Sequence, residues 1–203
     1  MATGAEPKSL QYSGVSEIDL ATALTPSQLA KACHANDTVA VFGSSHSAMI
    51  IIRNLVECGV KHIVNFYQSP LRYAVPFDDW ILYDDTGLKG ETAKWVKENI
   101  SKGKLSHVSR YMSNEDNIDH HLPSCDKAIY AVGFQQRQLL IEGVLLSQYD
   151  QSNGIIAPGL FGIGIGFPVE VTDPFGHKEN NVGLWKFLKN CRRTLPIWQQ
   201  YGL

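Results

Sequence analysis

The apolar positions of this chain fall into short runs separated by turn residues, and the first clear run is Thr38–Phe42. It breaks at Gly43, passes Ser44-Ser45-His46, and enters the apolar-periodic stretch Ser47–Cys58, which predicts a helix ended by a left-handed Gly59. A second strand, His62–Phe66, follows at once, giving a compact βαβ unit suited to a parallel sheet. Upstream, Pro26–Ala35 reads as a short helix with Thr25 as its N-cap and Pro26 at its first position. Downstream, a helix over Glu91–Ile100 and strands near Leu105–Tyr111 and Lys127–Val132 are predicted, with the polar stretch "MSNEDNIDHHLPS" as a connection. The alternation over Leu139–Tyr149 predicts a hairpin turning at Glu142-Gly143, and a further short strand is expected near Leu160–Ile163. A last helix is predicted from Val182 to about Cys191, ending before Pro196. The irregular stretch between Tyr67 and Gly90 is longer than compact domains usually tolerate without a function. The expected class is therefore α/β: a Rossmann-like parallel sheet with helices, a small antiparallel β element and a C-terminal helix.

Composition changes this picture little. With 203 residues, 44% hydrophobic and 19% charged, the chain can bury a sizeable core. A net charge of -2 without a Lys/Arg cluster gives no electrostatic case for nucleic acid or anionic membrane. No apolar run approaches the roughly 18 residues that span a bilayer, so a cytoplasmic protein is the default expectation. Cys33, Cys58, Cys125 and Cys191 form no C-x-x-C and read as small buried apolar residues.

Chemistry enters at "VAVFGSSHSA", residues 39–48. In a dinucleotide site one glycine makes the tight turn, a second admits the pyrophosphate, and a third small residue lets helix and strand pack closely. Gly43 fits the first role and Ala48 the third, while Ser45 occupies the place of the second glycine. The hydroxyls of Ser44, Ser45 and Ser47 can donate to phosphate in compensation, and His46 lies inside the turn. Taken alone, the stretch reads equally well as a serine-capped helix after a buried strand. At the end of the second strand stand Gln68 and Ser69, with Arg72 soon after and no acidic residue, which leans towards NADP over NAD, while Arg72 reads equally well as a plain surface residue. His120-His121 with Asp116, Asp119 and Cys125 read as solvated loop residues rather than metal ligands. His177 near Asp173 and Glu179 reads as a residue beside a flavin or substrate or equally as part of a turn with Pro174 and Gly176. Asp85 reads as part of a loop opening a helix rather than as an acid or base.

Three further segments occur in a telling order: "ATGAEPKSL" at residues 2–10, "AIYAVGF" at 128–134 and "APGLFGIG" at 157–164. On these segments and the turn at 39–48 the chain resembles the two-dinucleotide-binding-domain flavoproteins, the pyridine nucleotide–disulfide oxidoreductases and flavin monooxygenases. The resemblance implies that Ala2-Thr3-Gly4 is the exit from an FAD domain into a nested NAD(P)H domain. It also implies that residues 126–137 lead back to the FAD domain and that 154–166 is its late strand, with Gly133 and Gly164 at cofactor-facing positions. The implied organisation is a linker and exit segment of an incomplete FAD domain over 1–36, an NAD(P)-binding domain over 37–123, and a return segment over 124–203. The family's N-terminal strand and G-x-G-x-x-G are missing, because Met1 falls directly before the A-T-G segment. Ile165 stands where the family has the Asp that reaches the ribityl chain, and no cysteine pair serves disulfide reduction.

The resulting expectation is the NAD(P)H-binding part of a flavin-dependent, monooxygenase-like oxidoreductase, with FAD bound only if the missing segment is supplied. Its catalytic residues are not legible. Two alternatives stay open: a non-catalytic interaction protein on a flavoprotein scaffold, with a partner or a second copy covering the missing surface, and a Cys–His hydrolase.

Overall fold

The computed structural model describes residues 1–138, 140–141, 144–145 and 148–201. It divides into a larger unit, Pro7–Ile81 with Thr86–Gly133, and a smaller one, Met1–Glu6 with Leu82–Asp85 and Phe134–Leu203.

The larger unit is built on a five-stranded parallel sheet. In chain order its elements are β1 (Ser16–Glu17), α1 (Leu20–Leu24), α2 (Pro26–Ala32), β2 (Thr38–Phe42), α3 (His46–Cys58), β3 (His62–Tyr67), α4 (Gly90–Asn99), β4 (Val108–Met112), α5 (Glu115–His121) and β5 (Lys127–Tyr130). The strands lie in the order β1-β5-β2-β3-β4. From β2 the chain winds outward through β3 to β4, then returns to place β5 on the other side of β2. The order therefore reverses between β2 and β5, and in open α/β sheets that crevice is where ligands bind.

Burial on both faces explains the unbroken apolar runs "VAVF" and "AIY". On one face Val39, Val41, Ile63 and Ile129 pack against Leu29, Ile51, Ile52 and Leu55 from α2 and α3. On the other, Phe42, Phe66 and Tyr130 pack with Ile118 and Leu122, and Phe42 stacks on Phe66 at 4.8 Å. The lower edge of the sheet is tied by Asp37, whose carboxylate pairs with the Lys127 ammonium and accepts from the His34 amide. Burial alone would raise the Asp37 carboxyl, but these partners outweigh it and hold the pKa below the usual carboxylate range. A depressed folded pKa contributes stability above the unfolded value that is lost as acid passes the folded one. Asp37→Asn is accordingly expected to cost about 1–3 kcal/mol at neutral pH. In urea melts over a pH series that gap should stay whole down to about pH 4 and close below it.

Several boundaries differ from the sequence reading. The α2 helix stops at Ala32 rather than Ala35, since Asp37 draws the His34 amide into a turn. The stretch read as a polar connection contains α5, which the apolar period missed because Ile118 is its one buried residue. The stretch before Pro26 contains α1, too short at five residues to show a helical period. Asp19 caps α1 by accepting from the Thr22 amide at 2.9 Å, and Asn114 caps α5 by accepting from the Asn117 amide at 2.9 Å. The strand at 108–112 begins three positions later than the apolar residues suggest, because Leu105 is spent in a turn accepting from the Val108 amide. The α/β class itself is the expected one.

The smaller unit consists of short antiparallel pairs and one long helix. Ile155–Ala157 pairs with Leu160–Phe161, Val169–Thr172 with Lys178–Asn181, and Leu140–Ile141 with Val144–Leu145. The last of these is the expected hairpin, although its turn at Glu142-Gly143 lies outside the described residues. Ala5–Pro7 pairs with Phe134–Gln136, so the A-T-G segment and the segment after Gly133 run side by side. Met1 and Gly4 lie along the glycine-rich stretch: the Ile163 amide donates to the Met1 carbonyl, and a Cβ on Gly166 would meet the Gly4 carbonyl at 2.5 Å.

Helix α6 (Leu184–Tyr201) corrects the predicted end at Cys191 and carries Pro196 inside it. Proline removes one backbone bond, but tertiary anchors hold the turns on either side. Arg193 donates to the Ser152 carbonyl, and the Trp198 indole donates to the Asn153 carbonyl at 2.7 Å while stacking on Phe161. No helix among the described residues is long and apolar enough to cross a membrane.

Candidate nucleotide site

At the carboxyl ends of the parallel strands, within the larger unit, lies a cavity of about 470 Å³, inside the range of small-molecule sites. Residues following β2, β3, β4 and β5 all line it: Gly43 to Ser45, Gln68 and Ser69, Ser113, and Ala131 to Gly133. Lys8 and Leu10 close one side. The cavity thus opens at the reversal point between β2 and β5.

Gly43 makes this geometry possible. Its φ is +126°, outside the reach of ordinary side chains, and a Cβ there would sit 2.4 Å from the Ala131 carbonyl oxygen. Ala131 in turn donates its amide to the Phe42 carbonyl at 2.8 Å, so the chain segments leaving β2 and β5 stay in close approach. Ala48 is fully buried just behind the turn, as the third small position requires. Ser45 is the N-cap of α3, with extended backbone and no capping bond from its side chain. It lines the cavity without closing it, and its hydroxyl is available to a ligand.

Electrostatics favour an anion. The helix behind the turn is 13 residues long with no acidic residue in its first turn, so its amides and macrodipole act unopposed. Its first backbone bond is the Met49 amide to the Ser45 carbonyl, which leaves the amides of 46–48 outside the helical ladder. Lys8 adds a cation at the rim. His46 is half-buried with Nε2 3.5 Å from the Thr92 hydroxyl. Burial foremost, and the charge of Lys89, push its pKa below the usual imidazole value.

Of the residues singled out by sequence, Gly43, Ser44, Ser45, Gln68 and Gly133 come together around the cavity, with His46, Ser47 and Ala48 opening the helix beside it. Arg72 does not line it; its carbonyl accepts from the Leu88 amide in the long connection. Gly164 belongs to the smaller unit. Ser69, beside Gln68, and Lys8, Ala131 and Val132, inside the segments 2–10 and 128–134, also line the cavity, and Ser113 lies in a stretch read only as a connection. That all of these meet at one site follows from strand order, which pattern reading does not give.

The remaining candidates have structural explanations. His121 stacks on Tyr111 at 3.7 Å with His120 edge-on to it, and no group of three metal-ligating side chains converges among the described residues. Asp85 and Asp84 both pair with Lys186. Asp173 accepts from the amides of Phe175 and His177, which is the turn reading of that stretch. Burial pushes the Cys125 thiol up to about 11, and its S–H faces the His121 carbonyl rather than an imidazole. A thiol so placed is not a nucleophile at neutral pH.

No protein-family model matches the sequence. The chain is similar to the monooxygenase AgnR1 of Paecilomyces divaricatus, 35% identical over 230 aligned positions that take in 98% of this chain and 59% of that protein. The chain therefore spans about three-fifths of this curated relative's length. Among solved structures, it superposes on a double mutant of a flavin monooxygenase from Stenotrophomonas maltophilia with a TM-score of 0.55 and 12% identity, covering 99% of this chain and 61% of that one. It also superposes on an NAD-dependent persulfide reductase from A. fulgidus with a TM-score of 0.52 and 13% identity, covering 97% and 38%. These two likenesses show the fold.

Proposed function

We propose that this chain is the nicotinamide-dinucleotide-binding portion of a monooxygenase-like flavoprotein oxidoreductase, with NADP(H) or NAD(H) held at the carboxyl ends of β2, β3 and β5. One observation carries the reading: the cavity at the strand-order reversal is floored by a glycine where any side chain would press on the Ala131 carbonyl, and it is faced by the bare start of a long helix. The similarity to a monooxygenase supports the reaction class.

The donor set fits a diphosphate. The amides of Ser44 to Ala48 and the Ser44 and Ser45 hydroxyls supply hydrogen bonds, and Lys8 supplies charge. Gln68 and Ser69, after β3, stand where a ribose hydroxyl is held in such folds. With Arg72 outside the lining, the lean towards NADP rests on the absence of an acidic residue among these positions. The bound cofactor supplies hydride chemistry; the protein supplies position and electrostatics. Equilibrium titration with NADPH and NADH, followed by nicotinamide fluorescence, tests this: saturable binding of either supports it, and none at millimolar ligand refutes it. FAD belongs to the proposal only where further polypeptide completes its site, and Ile165 offers a ribityl chain no carboxylate.

A second reading, a protein-interaction role, draws on the smaller unit. Its helix α6 leaves Leu184 and Trp185 three-quarters exposed, with Leu188 half exposed. A polypeptide partner or a second copy covering this face is compatible with the first reading. Sedimentation analysis of wild type against Trp185→Lys distinguishes them: mass that falls in the variant supports an interface between copies.

A further inference from the structure

Asn65 is fully buried in β3 among Ile63, Val64 and Phe66, in a strand position that an apolar residue would ordinarily fill. Its two amide hydrogens are both committed, to the Val41 carbonyl at 2.9 Å and the Gly43 carbonyl at 2.8 Å. Its Oδ1 accepts from Arg110 Nε at 2.8 Å, across the β3–β4 register in which Asn65 faces Arg110. The reverse amide orientation would set an oxygen against two carbonyl oxygens and an NH2 against a guanidinium, so the two carbonyls and Arg110 together fix which way Asn65 points, and Arg110 is the side chain that holds its oxygen.

The consequence falls on the turn. All peptides here are trans, and in a trans peptide the C=O and the following N–H point in opposite directions. With the Gly43 carbonyl drawn onto Asn65, the Ser44 N–H is turned away from β3, and Ser44 lines the cavity. We propose that Arg110 is a positioning residue of the nucleotide site, acting through Asn65 to hold the Gly43–Ser44 peptide with its N–H presented to a diphosphate oxygen. The assignment deepens the function proposed above and rests on it.

Two features separate this role from packing. Arg110 lies over the Tyr67 ring at 4.6 Å, yet its Nη2 is buried with no hydrogen-bond partner among the described residues. Leaving a buried donor unmade costs about 1–3 kcal/mol, which a residue present only to fill space would not carry. A cationic donor also polarises the Asn65 amide and strengthens its hold on the Gly43 carbonyl.

The test uses the whole chain as wild type, Arg110→Met and Arg110→Lys, reading the ligand-free Ser44 amide resonance, the dissociation constant for NADPH and the thermal midpoint. Arg110→Met should move the Ser44 resonance and weaken NADPH about tenfold, with Arg110→Lys recovering part of both. A folded Arg110→Met with the wild-type Ser44 resonance overturns the assignment, whether or not affinity falls. If Arg110→Met does not fold, Arg110→Gln carries the same two readouts. If wild type binds neither NADPH nor NADH, the proposed function fails. The relay is then judged on the Ser44 resonance alone: a shift in the variant upholds it and no shift removes it.

Discussion

Gly43→Ala is expected to abolish dinucleotide binding and to lower the thermal midpoint by about 10 °C. Two penalties coincide at this residue. A φ of +126° is strained for any L side chain, and the new methyl would press 2.4 Å from a backbone oxygen of Ala131, which cannot swing aside as a side-chain tip would. Together they amount to about 3–4 kcal/mol, and in a chain of this size each kcal/mol shifts the midpoint by about 2–4 °C. Relief requires the strand ends of β2 and β5 to part, which misplaces the amides of the turn. Gly59→Ala is the control. Its φ is also positive, at +71°, but a Cβ there meets nothing within 4 Å, so it should cost only about 1–2 kcal/mol, that of a side chain in the left-handed region, and leave affinity unchanged. Calorimetry and NADPH titration on both variants check this, and equal behaviour of the two would remove the special status of Gly43.

Native-state hydrogen exchange should separate the two units by orders of magnitude. The larger unit buries Val39, Val41, Phe42, Ile51, Ile63, Phe66 and Ile129 at 1% exposure or less, in a sheet covered on both faces. In the smaller unit, among the described residues, Phe167 and Val169 are the buried apolar side chains, while Phe175, Leu184 and Trp185 lie at 70% exposure or more. Hydrophobic burial is the main favourable term in folding, about 25 cal/mol per Å² of apolar surface. A unit that buries so little opens locally at low cost. Amides of β2, β3 and β5 should therefore exchange through global unfolding, while those of Val169–Thr172 and Lys178–Asn181 exchange far faster. Protection of that second hairpin equal to the sheet's would contradict the account. A ligand or polypeptide that slows its exchange would identify what covers the exposed face.

How much of this was legible in the sequence follows from where burial and hydrogen bonding act. The runs at Thr38–Phe42 and Lys127–Tyr130 are apolar because both sheet faces are covered, and the glycines after them mark the turns, so the βαβ unit could be read directly. The cavity could not: Lys8, Ser69, Ser113 and Ala131 are scattered along the chain and meet only through the order β5-β2-β3-β4. Helix α5 was hidden because its signal lies in a cap and terminal charges, with Ile118 its one buried residue. The continuation of α6 past Pro196 was hidden because Trp198 and Arg193 anchor it to residues some forty positions earlier. Asn65 carried no visible signal, as a polar residue in a strand says nothing about the carbonyls and guanidinium it joins.

The most direct measurement is a backbone amide map of the isotope-labelled chain titrated with NADPH. The account predicts saturable shifts concentrated at Gly43–Ala48, Gln68–Ser69 and Ala131–Gly133, with the β1-to-β4 strand interiors unmoved. Shifts confined to other surfaces, or none at saturating ligand, would contradict a nucleotide site at this turn.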